Sequence, residues 1–366
     1  FLNYKVPILS TKVSNLTFKN PIGLAAGFDK SGNCFNGLFK LGFSSVEIGT
    51  VTPFIQEGNP KPRVFRLYED NAVINRYGFN NDGMEIIENR VNSLKDRKGL
   101  LGINIEPNKK SKNPIEDFQI VSKKLSKYFD YLTINISSPN TPGLRQFHQK
   151  KLLLEVIDAT IEGMKESGKS KPIFLKISPD EKNSTIEDII DVSLYKNLDA
   201  IIVSNTTIER PKSLKNNYKY ENGGLSGQPL FQESTRLLNN VFNISNGKID
   251  LIGVGGVENA NHAYTKILVG ASFVQLYTGL LFQGPNIVQV ITKRIIEYLK
   301  RDGYKSIGDN HPPKNKIDPN AHINNIFAYS PNQNIAYIIP EYSVWYPATN
   351  SASASGRSNG GLLVSA

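Results

Sequence analysis

The run Asn135-Ile136-Ser137-Ser138-Pro139-Asn140-Thr141-Pro142-Gly143 sets two hydroxyls, a proline and two further polar side chains in a loop that begins where an apolar strand ends. A turn rich in Ser, Pro and Asn is often only a turn. Here its theme returns in Asn75-Arg76-Tyr77-Gly78-Phe79-Asn80-Asn81 and in Ser204-Asn205-Thr206-Thr207, which also offer amides and hydroxyls without an acid. Such a lining suits a small, planar, hydrogen-bonding anion, and a carboxylate on that anion would find Lys30. Gly253-Val254-Gly255-Gly256 and Leu276-Tyr277-Thr278-Gly279 suit a phosphate, because glycines let backbone N–H groups approach it and a nearby helix start adds its positive dipole end. A phosphate held there would position a flavin or another phosphorylated ligand, within reach of Thr50, Asn104, Asn135, Ser204 and Asn205. Lys176 would then be a fixed cation that stabilises negative charge developing on a bound ring. Read instead as a barrel-interior ion pair, it has only Glu47 as an acid at a neighbouring strand end.

These segments share a position in a repeating pattern. Eight apolar runs end in small or polar residues: Pro21 to Ala25, Ser45 to Gly49, Leu100 to Ile105, Tyr131 to Ile136, Pro172 to Ile177, Ala200 to Ser204, Asp250 to Val254 and Ser272 to Leu276. Continuous rather than alternating apolarity is expected of a parallel sheet covered on both faces. Segments with apolar residues near helical spacing lie between them, such as Ile115 to Tyr128, Lys151 to Lys165 and Glu233 to Phe242. Eight alternations predict a (β/α)₈ TIM barrel, whose chemistry sits at the carboxyl ends of the strands.

Composition narrows the classes. With 366 residues and 39% apolar content, the chain can bury one large core plus a small appendage. The lone Cys34 excludes a disulfide framework and is expected inside a helix as a packed core thiol. Four scattered histidines show no metal-ligand spacing, so no metal site is expected. The net charge of +10 is spread along the chain without a basic block or nucleic-acid motif. This reads as a solvated basic surface favouring anionic substrates or anionic lipid, not nucleic acid. No apolar stretch approaches the ~20 residues that span a bilayer. The expected division is a barrel over residues 1–305 and a tail over 306–366, where Pro312-Pro313, Ser-Ala-Ser-Ala-Ser from 351 and Gly360-Gly361 mark low complexity around a β-prone piece near 335–346.

From about Val13 to Arg301 the chain closely resembles the membrane-associated, quinone-reducing class of dihydroorotate dehydrogenases. The matching runs are Asn20 to Lys30 (NPIGLAAGFDK), Val46 to Pro53, Gln56 to Leu67, Val73 to Asn80 (VINRYGFN), Asn135 to Arg145 (NISSPNTPGLR), Ser204 to Thr207, Gly223 to Leu230 (GGLSGQPL), Ile252 to Val257 and Val274 to Thr278. The resemblance implies an FMN enzyme that oxidises dihydroorotate to orotate in pyrimidine biosynthesis and passes the electrons to a quinone. It places the base that removes the C5 proton at Ser138; the soluble classes carry cysteine there. Lys30, Asn75, Tyr77, Gly78, Phe79, Asn135, Asn140, Asn205 and Thr206 would hold the orotate moiety. FMN would be held by Ala25, Ala26, Gly27, Thr50, Asn104, Asn135, Lys176, Ser204, Ser226, Gly227, Gly255, Gly256, Tyr277 and Thr278, with Lys176 stabilising the reduced flavin. Val64, Arg66 and Tyr277 would line the quinone tunnel. A monomer is expected, docked by a segment ahead of Phe1 on the mitochondrial inner membrane in a eukaryote, or on the cytoplasmic membrane in a bacterium.

Two departures from that family stand out. Where it usually continues from Asn104 with Leu/Ile-Gly-Lys-Asn-Lys, this chain has Ile105-Glu106-Pro107-Asn108-Lys109, and a carboxylate near flavin or its phosphate would weaken FMN binding. Residues from Asp309 onward also lie outside the resemblance. The rival readings are a flavin oxidoreductase for another small anionic substrate and a non-catalytic FMN-binding barrel. No histidine ends a strand, against the hydroxy-acid oxidases, and the joint presence of Lys30, Ser138 and Lys176 speaks against a disabled barrel.

Overall fold

The computed structural model describes residues 7–93, 97–137 and 147–310. In chain order the strands and helices begin with β1 (Thr11–Val13), β2 (Leu16–Phe18), β3 (Ile22–Leu24), α1 (Phe35–Lys40), β4 (Ser45–Val51), β5 (Val64–Leu67), β6 (Ala72–Asn75), α2 (Met84–Ser93), β7 (Leu100–Ile105), α3 (Pro114–Leu125) and β8 (Tyr131–Asn135). They continue with α4 (Lys150–Glu166), β9 (Ile173–Ile177), α5 (Asn183–Tyr195), β10 (Ala200–Val203), β11 (Gly224–Gly227), α6 (Phe231–Ser245), β12 (Asp250–Gly253), α7 (Ala260–Leu268), β13 (Phe273–Leu276), α8 (Thr278–Gln283) and α9 (Ile287–Arg301). The described residues lie in one compact unit that ends at Asn315. The expected tail beyond Asn310, with its β-prone piece, lies outside the described residues.

Strands β3, β4, β7, β8, β9, β10, β12 and β13 close in that order into a parallel barrel. The eight apolar runs are these eight strands, buried on both faces because helices cover the outside and side chains fill the inside. Inside, Tyr131 and Phe174 stack with centroids 4.6 Å apart. Gly102 makes that stack possible, since a Cβ there would come within 2.1 Å of the Tyr131 ring. The β1–β2 hairpin, which sequence reasoning missed, plugs the amino-terminal end. Phe18 packs on Phe273 at 4.2 Å, and the Thr11 hydroxyl donates to the Ser272 carbonyl at 2.8 Å.

At the opposite end, β11, β6 and β5 form an antiparallel sheet that the sequence did not announce. Its period of two sends Phe65, Leu67, Ala72, Ile74 and Leu225 into a small core of their own with Leu214. Val64, Arg66, Val73, Asn75 and Ser226 take the other face, toward the barrel mouth. Two segments about 150 residues apart, Ala72–Asn75 and Gly224–Gly227, meet only in this sheet.

Cys34 departs from expectation. It is exposed and precedes α1 instead of packing within it. The Asp29 carboxylate accepts from the amides of Asn33 (2.7 Å) and Cys34 (2.9 Å), which starts the helix one residue later and leaves the thiol facing outward. Partial desolvation and the neighbouring Asp29 push that thiol up to about 11, away from a reactive thiolate.

Phe174→Ala should cost about 3–5 kcal/mol, because it opens a cavity between β8 and β9 and strands the Tyr131 ring. Chemical denaturation is the check: the midpoint falls while the slope stays unchanged.

Candidate active site

The carboxyl ends of the barrel strands open into a cleft of about 1270 Å³, its open mouth included. Its floor is a hydrogen-bonded chain of polar side chains. Glu47 of β4, fully buried, accepts from Asn104 Nδ2 (2.8 Å), Gln275 Nε2 (2.9 Å) and Tyr131 Oη (3.4 Å). Asn104, with its amide nitrogen spent on Glu47, presents Oδ1 to the Thr50 hydroxyl (2.7 Å) and to Asn135 Nδ2 (3.1 Å). Asn135 in turn presents Oδ1 to the Ser137 hydroxyl (2.8 Å), which accepts from Asn205 Nδ2 (3.0 Å). Ser137, the first of the paired hydroxyls, is thus committed to the scaffold. Ser138 and Asn140 lie outside the described residues.

Lys176 rises from β9 beside this chain and is 6% exposed. Burial lowers its pKa, while Glu47 and Glu106 pull it back up. Glu47 is therefore not its sole acidic neighbour, contrary to the sequence expectation. Lys30 lies after β3 with its ammonium 4.3 Å from the centre of the Tyr77 ring. Burial chiefly, then Arg63 and Lys176, bring Lys30 down to about 8 against the opposing pull of Glu106.

Two kinds of chemistry line the cleft. Lys30, Asn75, Tyr77, Gly78, Phe79, Asn135, Asn205 and Thr206 bring positive charge, amides and a hydroxyl. Gly227 (φ +98), Gly255 (φ +106) and Gly256 (φ +71) mark the other kind, with Ser226 and Thr278, whose hydroxyls are 2.9 Å apart. A Cβ on Gly256 would lie 2.4 Å from the Phe231 Cα, so only glycine keeps this loop against the start of α6. Its open, backbone-rich face and the adjoining hydroxyls fit a phosphate. Ala25, Ala26, Gly27, Thr50, Ser204, Val64, Arg66 and Tyr277 also line the cleft. Asn104 lies behind Thr50 and Asn135 and acts on the cleft through them.

Glu106 narrows a second expectation. It directly follows β7, which is four strands around the barrel from β12, opposite the glycine loop. Of the two places expected for its charge, flavin or phosphate, it lies away from the glycine loop and near Lys176, where it feels Lys176 and Lys30. It is fully buried, and burial holds its carboxyl well above the usual range.

This chain matches the dihydroorotate dehydrogenase family model over residues 8–299. The chain belongs to the dihydroorotate dehydrogenase family. Among its relatives, the dihydroorotate dehydrogenase (quinone) of Brucella anthropi is 45% identical over 307 residues, covering 82% of this chain and 84% of that protein. The mitochondrial dihydroorotate dehydrogenase (quinone) of Arabidopsis thaliana is 42% identical over 82% of this chain and 72% of its own. The ligand-free DHODH crystal structure from Eimeria tenella superposes with a TM-score of 0.83 at 38% identity, covering 87% of this chain and 94% of that one. The same enzyme in complex with ferulenol gives 0.82 over 85% and 89%.

One buried group of this chain escaped sequence reasoning. Lys266, on α7, is fully buried and donates to the hydroxyls of Ser234 (2.9 Å) and Thr235 (3.1 Å). Ser234 passes the link on to the Gly255 carbonyl (3.0 Å), so this lysine braces the glycine loop from behind. A lysine flanked by Ala263 and Ile267 on a helix's core face was the available signal. Burial brings it down to about 7 from 10.5.

The unfolded chain therefore binds this proton more readily than the folded one, and stability should rise with pH between about 7 and 10.5. Lys266→Met should lose that rise and be the more stable protein at neutral pH. Parallel denaturation curves across the window check it; identical pH slopes in both proteins would refute the assignment.

Proposed function

We propose that this chain oxidises dihydroorotate to orotate with FMN as its flavin and a quinone as final electron acceptor, in the making of pyrimidines. The observation that carries the reading is the meeting, in one cleft, of two lysines, an amide cluster and a glycine loop suited to phosphate. FMN, when bound, supplies the hydride acceptor for substrate C6. Ala25, Ala26, Gly27, Thr50, Asn135, Lys176, Ser204, Ser226, Gly227, Gly255, Gly256, Tyr277 and Thr278 would hold it, with Asn104 acting from behind Thr50 and Asn135.

The chain's own groups do the rest. Lys30 pairs with the substrate carboxylate, while Asn75, Asn135, Asn205 and Thr206, with Asn140, hold the ring edge; the backbone from Tyr77 to Phe79 closes over it. Ser138 takes the C5 proton, helped by exclusion of water and by its neighbours, since a serine hydroxyl is a poor base in water. Lys176 contributes a buried cation that favours negative charge in the same space. Val64, Arg66 and Tyr277 line the quinone path, whose apolar wall Leu281 extends.

A quinone acceptor places the protein at a membrane surface. The Arabidopsis relative carries the word mitochondrial in its name and the Brucella relative is bacterial, which supports the mitochondrial inner membrane in a eukaryote and the cytoplasmic membrane in a bacterium. No helix among the described residues is long and apolar enough to cross a bilayer. The protein would act as a monomer docked at that surface.

Anaerobic visible spectra test both half-reactions: dihydroorotate should bleach the flavin bands and a soluble quinone should restore them. Bands that stay unbleached would defeat the reading. Ser138→Ala should keep the flavin and slow its reduction by about 10²- to 10⁴-fold; native reduction kinetics would remove Ser138 from the chemistry. Lys176→Ala should weaken flavin binding and abolish reduction together, and a yellow, fully reducible variant would contradict that role.

A further inference from the structure

Glu106 is a buried acid with nothing to hold. Its amide donates to the Val51 carbonyl at 3.2 Å, which fixes the end of β7, but neither carboxyl oxygen has a hydrogen-bond partner. Buried polar atoms are rarely left so, and an orphaned one calls for a role. Two residues on from Asn104 it keeps that residue's side of the strand, one layer nearer the mouth.

The charged groups around it are few. Lys176 on β9 and Lys30 in the loop after β3 act on it through space, without an ion pair. Glu47, on β4, has its oxygens engaged by Asn104, Gln275 and Tyr131. On the sequence that follows, Lys109 points away to Asn59, and Asp117 of α3 accepts from the Asn108 amide. Before a ligand enters, then, the ammonium groups of buried Lys176 and half-buried Lys30 act on two buried carboxyls, one satisfied and one not.

A substrate carboxylate at Lys30 adds a negative charge to this desolvated space. The cheapest compensation is a proton on the acid that forfeits no hydrogen bond by taking it. We propose that Glu106 is the charge-balancing proton acceptor of this cleft: in the molecules where it is ionised, its carboxyl takes a proton from solvent when the anionic substrate or product binds and returns it on release. The inference rests on the assignment of the substrate carboxylate to Lys30. Burial already holds Glu106 well above the ordinary carboxylate range, opposed by Lys176 and Lys30. As a positioning residue it touches neither of the reacting carbons; it sets how tightly the anion is held at a given pH.

The test is orotate binding to the flavin-loaded protein, by calorimetry in buffers of different ionisation enthalpy from neutral to alkaline pH, which counts protons taken up. The native protein should take up a fraction of a proton, and Glu106→Gln about half of that or less. Lys30 is a competing source, because a bound anion also raises its pKa. The sign separates the two: losing the Glu106 charge lowers Lys30 further, so uptake through Lys30 alone would grow in the variant. Equal or greater uptake in Glu106→Gln therefore overturns the proposal. Glu106→Gly should lose uptake in the same direction, and the flavin absorbance of each variant reports that it has folded. Native protein that fails to bind orotate would remove the functional reading and this inference together; binding with uptake unchanged in the variants removes the inference alone.

Discussion

The barrel mouth hangs on the buried carboxylate of Glu47 and on how its oxygens are occupied. An acid buried at this depth is costly unless hydrogen bonds and a neighbouring cation compensate it. Gln275, Tyr131 and Asn104 provide the first and Lys176 the second. Because Asn104 must donate to Glu47, its amide orientation is decided, and so is the direction of every bond above it. Asn104 can only accept from Thr50 and Asn135, and Asn135 can then only accept from Ser137. A single charge in the barrel thus orients amides on β7 and β8 and, through Ser137, the Asn205 side chain after β10.

Above that floor, the cleft offers two kinds of charge recognition. Cationic side chains and amides suit a small anion, which has few heavy atoms and needs strong, directional partners. Backbone and hydroxyl groups suit a phosphate, which can be cradled without a fixed positive side chain at the surface. Lys266 adds charge at the glycine loop from beneath, through Ser234, while staying wholly out of solvent. Burial lowers Lys30, Lys176 and Lys266 alike, so each sits closer to losing its proton than a surface lysine would. A flavoenzyme of this family gains from that: an incoming anion meets cations already stripped of water, and the interaction is strong because little screening intervenes.

The extra antiparallel sheet gives the cleft a wall that the barrel cannot supply. Its alternation divides apolar residues between a satellite core and the mouth, so Arg66, Asn75 and Ser226 are carried on a braced surface instead of on open loops. Arg210 secures the neighbouring segment by donating to the carbonyls of Glu221 (2.9 Å) and Gly223 (2.7 Å), which holds Gly224–Gly227 against β6.

The sequence alone determined the barrel, since eight doubly buried strands and the helices between them leave their mark as unbroken apolar runs and helical spacing, and both are local. It also determined which strand ends carry polar side chains, and the resemblance drew the residues of one cleft from segments spread between Ala25 and Thr278. Elements whose burial depends on a distant partner stayed hidden: the β1–β2 hairpin is only three residues per strand, and the β5–β6–β11 sheet pairs segments far apart in the chain. Tertiary structure alone decided the electrostatics. Cys34 turned outward because Asp29 took the helix amides, Glu106 became a neighbour of two lysines away from the glycine loop, and Lys266 disappeared beneath that loop. In each case the residue type was plain to read, but desolvation and the identity of the nearest charge set its chemistry, and both are properties of the packed chain.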